Sequence, residues 1–187
     1  MIEKELKITG RRIYVVGNTC SGKSTVGRKV ASKTDIPFVE LDEINFLPNW
    51  FGLNEHNPRL FQAKIIEATK SNSWVIAGSY EDHIRVTVWK DINLIIWLDL
   101  PIATILGRLV RRSWKRWRTH ELLWGTNYEN FFKHLKIWSN DSLLFWAVTQ
   151  HANKRKRMLA IVTNNSELEI VRLRSSKEID SFLRSFH

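Results

Sequence analysis

Short apolar runs and amphipathic stretches alternate along this chain, and the alternation predicts its secondary structure. Runs rich in β-branched and aromatic residues are typical of buried strands, and they occupy residues 12–16, 38–41, 74–77, 92–98 and 169–174. Apolar residues near helical spacing predict helices over residues 25–33, 59–70, 101–112 and around 179–183. Strands alternating with helices indicate an α/β fold whose parallel sheet is covered on both faces.

Two further stretches are less regular. Residues 127–161 have recurring apolar faces and predict one long helix or two broken ones, carrying Phe131, Leu135, Trp138, Leu143, Leu144 and Val148. Within them, residues 158–163 are β-branched enough for a strand, although we favour the helix. Residues 42–58 mix proline, glycine and asparagine with aromatic residues, which predicts a structured loop that binds substrate.

Four polar or glycine positions follow the predicted strands directly. They are Gly17, Asp42, Gly78 and Asp99. Parallel strands end at one edge of their sheet, and ligands of such folds bind in the crevice at that edge. We therefore expect these four positions to line one crevice.

The first of these strand ends opens a phosphate-binding motif. Glycine, four residues, and Gly-Lys-Ser fit the pattern at every fixed position, through Gly17, Asn18, Thr19, Cys20, Ser21, Gly22, Lys23, Ser24 and Thr25. The glycines let the backbone N–H groups face inward, and a helix starting near Lys23 adds partial positive charge. The motif predicts a loop that binds the phosphates of ATP or GTP.

Each polar residue of the motif has an expected role. Lys23 reaches the β- and γ-phosphates, and the Ser24 hydroxyl ligates the Mg²⁺ that bridges them. Cys20 is the single cysteine, which excludes an intramolecular disulfide and a thiolate zinc site. We interpret Cys20 as a tolerated small residue rather than as a redox switch.

Length, composition and net charge indicate the class of protein. The 187 residues fit one domain, and no apolar run reaches the ~18 residues of a membrane span. The first residues lack the apolar core of a signal peptide, so we expect a cytoplasmic protein. A net charge of +10 favours anionic partners, including nucleotides and nucleic acid.

The largest cluster of basic residues lies between positions 108 and 118, with Trp114 and Trp117 among them. The cluster comprises Arg108, Arg111, Arg112, Lys115, Arg116 and Arg118. We interpret residues 108–127 as a lid whose arginines stabilise a transferring phosphoryl group. A solvated basic face and a nucleic-acid surface remain alternatives. The second basic run, residues 154–157, is interpreted mainly as surface.

Two carboxylates at strand ends have open roles. Asp42 orients an acceptor, binds Mg²⁺ through water or acts as a base toward a hydroxyl, and capping of the loop is the structural alternative. Asp99 either belongs to a metal-binding motif or closes its strand before Pro101. The six histidines show no ligand spacing.

These features together resemble the adenylate-kinase-like branch of P-loop kinases, and most specifically the small bacterial topology modulation proteins. The resemblance covers nearly the whole chain and is carried by residues 17–25, 41–50, 74–80, 96–112 and 171–183. It implies a three-layer sandwich with a five-stranded parallel sheet of order 2-3-1-4-5 and an arginine-rich lid, in a single domain over residues 1–187.

The resemblance also implies a site. ATP and Mg²⁺ bind at the phosphate loop, the acceptor lies near Asp42, Trp50, Gly78 and Tyr80, and Arg108, Arg111 and Arg112 serve catalysis from the lid. A metal-associated carboxylate is expected where this chain has Ala77. This departure weakens the comparison with nucleoside-monophosphate kinases more than the comparison with kinases of small hydroxyl acceptors.

The predicted function is transfer of the ATP γ-phosphate to an anionic or hydroxyl small molecule by a nucleotide-kinase-type enzyme. Lys23, Asp42 and the three arginines are its candidate catalytic residues. The alternatives are a nucleic-acid-associated ATPase and a regulatory nucleotide-binding protein with little transfer activity.

Overall fold

The central sheet has five parallel strands, as the sequence predicts. A computed structural model describes residues 11–128, 143–165 and 168–185. The sheet strands are β1 (Arg12–Gly17), β2 (Phe38–Glu40), β5 (Trp74–Ala77), β6 (Leu94–Leu98) and β9 (Glu169–Leu173). Their order is β2-β5-β1-β6-β9, which is the predicted order 2-3-1-4-5. In register, Val15 lies beside Ala77 on one side and beside Ile96 on the other.

Helices cover both faces of this sheet. They are α1 (Lys23–Thr34), α2 (Leu41–Asn45), α3 (Leu53–His56), α4 (Pro58–Ala68), α5 (Glu81–Thr87), α6 (Ile102–Thr119), α7 (Leu143–Asn164) and α8 (Ser176–Arg184). Short 3₁₀ turns occupy Pro48–Trp50 and Trp89–Asp91. Capping side chains mark the starts of two helices. Asn57, which precedes Pro58 at the start of α4, accepts a hydrogen bond from the Leu60 N–H, and Ser175, at the start of α8, accepts one from the Glu178 N–H.

Strand side chains alternate between two apolar layers, as the period of two requires. On one face, Ile13 and Val15 pack with residues of α1, α6 and α8. On the other face, Tyr14 and Val16 pack with residues of α4, α5 and α7. The sheet is therefore buried on both sides, and the three-layer α/β architecture is confirmed.

Two small hairpins lie outside the central sheet. The first pairs β3 (Phe46–Leu47) with β4 (Phe51–Gly52), and the second pairs β7 (Leu122–Leu123) with β8 (Asn127–Tyr128). The first lies within the predicted loop 42–58, which therefore consists of α2, the β3–β4 hairpin and α3.

Three sequence-based boundaries need comment. The helix predicted over 101–112 extends to Thr119, so the whole basic cluster is helical. The helix predicted to start at 127 is wrong there, because Asn127 and Tyr128 pair with β7. Residues 158–163 are helical, as favoured. Phe131, Leu135 and Trp138 lie outside the described residues.

Over residues 11–128, 143–165 and 168–185, no helix is long and apolar enough to cross a bilayer.

Candidate active site

The phosphate loop joins β1 to α1 with the backbone geometry that its glycines permit. Gly22 has φ +99°, and a Cβ on Gly17 would lie 2.7 Å from the Leu98 carbonyl oxygen of the neighbouring strand. Cys20 also adopts a left-handed conformation, with φ 56°. The Ser21 N–H donates to the Asn18 carbonyl at 3.2 Å and closes the turn. The predicted strand, loop and helix are all present.

Helix α1 begins at Lys23 with no side chain capping its N-terminus and no acidic residue in its first turn. The first N–H groups of a helix lack helical partners and carry partial positive charge. Ser24 and Thr25 lie in this first turn. The end of α1 therefore suits a phosphate group.

Several charged residues around the phosphate loop affect Lys23. Its Nζ donates to the Asn18 carbonyl at 2.9 Å. Burial lowers the pKa of Lys23 below its usual range, the Asp42 carboxylate opposes this shift, and the Arg112 guanidinium adds to it. Asp42 and Arg112 therefore both contribute to the electrostatic environment of Lys23.

Asp42 and Tyr80, predicted on the acceptor side, are in direct contact. The Tyr80 hydroxyl donates to Asp42 Oδ1 at 2.8 Å, joining the segments that follow β2 and β5. Burial and the Asp42 carboxylate raise the pKa of Tyr80, so its hydroxyl stays a proton donor. In this pair the Tyr80 hydroxyl is the hydrogen-bond donor and the Asp42 carboxylate is the acceptor.

Gly78 and Ser79 connect this pair to the phosphate loop. A Cβ on Gly78 would lie 2.7 Å from Leu41 Cβ, so glycine is needed where β5 passes α2. The Ser79 hydroxyl donates to the Gly17 carbonyl at 3.0 Å. Both predicted sides of the site therefore meet along the ends of β1 and β5.

Trp50 lies in a contact between the two small hairpins. Its indole stacks edge-on with Phe46 and with Trp124, at centroid distances of 5.4 and 5.7 Å. The buried Asn127 side chain accepts from the Trp50 N–H at 2.7 Å and donates to the Leu47 carbonyl at 3.1 Å. Sequence analysis missed Asn127 because its partners are about 80 residues away.

The three arginines predicted for catalysis point in different directions from α6. Arg108 donates to the Ser21 carbonyl at 2.7 Å and to the Ser176 hydroxyl at 2.9 Å, so it braces the outside of the loop against α8. Arg111 is exposed, whereas Arg112 is partly buried and acts on Lys23. Of these two arginines, Arg112 therefore affects the phosphate-loop lysine, whereas Arg111 faces outward.

The second basic run, interpreted from sequence mainly as surface, is exposed at Arg155, Lys156 and Arg157, but it also contributes to the cleft. Lys154 is partly buried and lines the cleft with Gly17, Asn18 and Glu81. Burial lowers its pKa to about 7, and the positive charge of Lys23 contributes to the shift. The surface interpretation is wrong for Lys154, because this residue lies on the buried face of α7.

Helix periodicity was the signal that would have identified Lys154. Ala147, Met158 and Ile161 are nearly fully buried, and His151 and Lys154 are partly buried. These positions are three or four residues apart and form one face of α7. The Asn18 amide donates from the phosphate loop to the Ala147 carbonyl at 3.0 Å, so this face packs on the loop.

Asp99 ends β6 in an ion-paired cluster. Arg172 Nε donates to Asp99 Oδ2 at 2.9 Å, and Arg155 Nε lies 3.3 Å from the same oxygen. Asp99 lines the cleft beside Gly17 and Lys154. Its carboxylate is neutralised by arginines, which favours the strand-closing interpretation over metal binding.

A cavity opens on the acceptor side of the cleft. It measures about 210 Å³ and is lined by Asn54, Ser79, Tyr80, Glu81, Asp82, His83, Gln150, Asn153, Lys154 and Arg157. Acidic residues of α5 and basic residues of α7 lie on its walls. The cavity therefore offers both hydrogen-bond acceptors and cations to a small ligand.

The described residues contain no group of three histidine, cysteine or acidic side chains arranged to hold a metal ion alone. Ala77, where the resemblance implies a carboxylate, is 1% exposed and faces α1, with its Cβ 3.4 Å from a Cβ built on Gly27. Ser24 follows Lys23 in the first turn of α1 and offers a hydroxyl oxygen, and Asp42, whose charge acts on Lys23, offers carboxylate oxygens. They suit a cation that also takes oxygens from phosphate and water.

Comparison with known proteins shows similarity to kinases, both among curated proteins and among solved structures. No protein-family model matches the chain. Among curated proteins, the shikimate kinase of Salinibacter ruber is 27% identical over 116 residues, which are 56% of this chain and 57% of the relative. The matched region thus spans little more than half the length of that protein.

Solved structures match over nearly the whole chain. The shikimate kinase of Bacteroides thetaiotaomicron has a TM-score of 0.55 and 17% identity, covering 93% of this chain and 94% of its own. A gluconokinase of Sinorhizobium meliloti has a TM-score of 0.53 and 17% identity, covering 94% and 89%. The fold is that of the P-loop kinases. At these identities the likeness establishes the fold and leaves the reaction to the site.

Proposed function

We propose that the protein transfers the γ-phosphate of ATP to a hydroxyl group of a small molecule. The observation that carries the proposal is a pair of adjacent contacts that joins the phosphate loop to Asp42: Ser79 donates to the Gly17 carbonyl, and Tyr80 donates to the Asp42 carboxylate. A phosphate-binding loop is thereby linked to a carboxylate suited to a hydroxyl acceptor. Similarity to shikimate kinase and gluconokinase supports an acceptor that is a small hydroxyl compound.

One set of groups binds the phosphate donor, ATP, and another set acts on the hydroxyl of the acceptor. Loop N–H groups and the N-terminus of α1 bind the phosphates, and Lys23 and Arg112 neutralise the charge that develops during transfer. Asp42 accepts the proton of the attacking hydroxyl, and the Tyr80 hydroxyl holds the carboxylate in place. The hydroxyl oxygen forms a bond to the γ-phosphorus, and the bond to the ADP oxygen breaks.

Ser24 is the residue that would hold Mg²⁺ with the nucleotide. When bound, the ion neutralises phosphate charge and fixes the orientation of the phosphate chain. The lid role of residues 108–127, the finer resemblance to topology modulation proteins and a cytoplasmic location stay predictions.

Transfer from labelled ATP to a panel of acceptors tests the proposal. The panel contains gluconate and shikimate, the neutral counterparts gluconamide and methyl shikimate, and nucleosides with their monophosphates. We expect Mg²⁺-dependent labelling of at least one acceptor by the wild-type protein and none by Lys23→Ala. Tight ATP binding without labelling of any acceptor would favour the regulatory nucleotide-binding alternative.

A second candidate function rests on the outer face of α6. Arg111, Trp114, Lys115 and Arg118 are exposed at helical spacing, and Trp114 is 46% exposed. A basic face with an aromatic side chain suits contact with single-stranded nucleic acid. Binding to an oligonucleotide that persists at physiological salt and stimulates ATP hydrolysis would favour this candidate, whereas binding that disappears as salt rises is generic.

A further inference from the structure

We propose that Lys154 and Arg157 of α7 bind an anionic group of the acceptor, which makes the substrate a small hydroxyl-bearing anion. The inference rests on the proposed function, because it concerns the acceptor side of the same cleft. It assigns a specificity role to two residues of a basic run that the sequence analysis interpreted mainly as surface.

The first support is the position of the two side chains. Both line the 210 Å³ cavity that also contains Tyr80, and Tyr80 contacts Asp42. Lys154 additionally lines the cleft beside Gly17 and Asn18 of the phosphate loop. An anion bound by Lys154 and Arg157 would therefore lie in a cavity lined by the tyrosine that contacts the Asp42 carboxylate.

The second support is the distribution of charge around the cavity. Glu81 and Asp82 lie in the first turn of α5, and Lys154 and Arg157 come from α7. The carboxylates accept hydrogen bonds from hydroxyl groups, and the cations bind an anion. A ligand that satisfies both kinds of residue carries hydroxyl groups together with an anionic group.

The third support is the size of the cavity. Its volume of about 210 Å³ is below the roughly 300–1,000 Å³ of sites for drug-sized ligands. This size favours a small hydroxy acid or sugar phosphate over a nucleoside monophosphate. The anionic group is then a carboxylate in a hydroxy acid or a phosphate in a sugar phosphate.

The unusual acid–base state of Lys154 agrees with this position. Burial and the charge of Lys23 lower the pKa of Lys154 to about 7, because both disfavour its charged form. An anion in the cavity would stabilise the charged form and raise the pKa again.

The same helix supplies a matched control. Lys156 is exposed and lines neither the cleft nor the cavity, although it lies between two residues that do. Lys154→Met and Arg157→Met remove one cation each without changing side-chain length greatly. Lys154→Arg keeps the charge.

The test measures binding and transfer with the anionic and neutral acceptor pairs of the panel, and with glycerol 3-phosphate against glycerol. Binding is followed by thermal shift in the presence of a non-hydrolysable ATP analogue. For the best acid, Lys154→Met and Arg157→Met should each raise KM or Kd about 10-fold to 100-fold, the loss of one charge-assisted hydrogen bond. The neutral partner should change less than about 3-fold, Lys156→Met should match wild type, and Lys154→Arg should recover part of the affinity.

Several results would overturn the inference. Equal preference of the wild type for the acid and its neutral partner would remove the anion site, even if phosphate is transferred and the proposed function stands. A fall in kcat with unchanged KM for every acceptor would make Lys154 a transfer residue, and a matching loss of ATP affinity would make it a donor-site residue. Charge-selective binding without phosphate transfer would support the anion site and contradict the proposed kinase activity. Absence of both charge-selective binding and transfer would contradict the anion site as well as the kinase activity.

Discussion

Helices α6 and α7 each carry a dense run of basic residues, and the two runs serve the cleft differently. On α6, Arg108 braces the phosphate loop, Arg112 acts on Lys23, and Arg111 is exposed. On α7, Lys154 enters the cleft, Arg155 pairs with Asp99, and Lys156 is exposed. In both helices, adjacent basic residues have different environments.

The difference shows that helical phase, rather than charge density, selects the residues that reach the site. Arg108 and Arg112 are four residues apart and share the inner face of α6, whereas Arg111 and Lys115 share the outer face. Lys154 is inward because it follows the apolar face that packs α7 on the sheet. The shorter basic run therefore places a cation in the cleft, although it has four basic residues against six on α6.

The largest expected effect comes from Lys23, since charges of both helices act on it. Lys23→Ala should lower phosphate transfer by at least about 10³-fold, because it removes the cation that contacts the transferring phosphate. The free energy of unfolding should not fall, since a buried ammonium is lost as well. Single-turnover transfer and urea denaturation check the two parts. Normal ATP consumption by the variant would contradict the assignment of the loop.

Arg112 and Arg111 provide the most direct comparison within one helix. Arg112→Ala should lower kcat/KM for transfer about 10²-fold, because its charge acts at the phosphate end of the cleft. Arg111→Ala should change it less than about 3-fold, since Arg111 faces outward. Steady-state kinetics with the best acceptor measures both. Similar losses in the two variants would show that the whole basic segment closes over the nucleotide.

The hairpin after α6 should depend on Asn127. Asn127→Ala leaves the Trp50 N–H and the Leu47 carbonyl without their side-chain partner, and should lower the free energy of unfolding by about 1–3 kcal/mol. Glu121→Gln is the control, because Glu121 makes only a 3.5 Å surface pair with Arg116 and should cost below about 1 kcal/mol. Urea denaturation followed by tryptophan fluorescence measures both. Equal stability of the two variants would mean that the hairpins are held by the aromatic contacts alone.

The smallest effect is a pH dependence that separates Lys154 from the basic residues of α6. The pKa of Lys154 is lowered to about 7, so between about pH 7 and 10 the unfolded chain binds a proton that the folded protein does not. The free energy of unfolding should therefore rise with pH in this window, by at most about 1.4 kcal/mol per unit from this group. Lys154→Met should reduce the slope, and Lys156→Met should leave it unchanged. Denaturation midpoints at pH 7, 8 and 9 provide the measurement, and parallel curves for wild type and Lys154→Met would contradict the burial of this lysine.

Much of the fold followed from the sequence because its signals are local. The five apolar runs specify the sheet, and Pro58 and Ser175 mark helix starts through contacts within a few residues. The hairpins of residues 46–52 and 122–128 were not predicted. Their strands have two residues each, too few for an alternating pattern, and Asn127 stabilises them by contacts across the chain.

The sequence alone determined the phosphate loop and the parallel sheet around it. The loop works through contiguous residues and its own backbone, so Gly17, Gly22, Lys23 and Ser24 need no distant partner to be recognised. The tertiary structure decided the contact between Tyr80 and Asp42, the inward position of Arg112 and the entry of Lys154 into the cleft. These depend on which face of each helix packs against the sheet, and that choice is made by burial across the whole molecule rather than by neighbours in the chain.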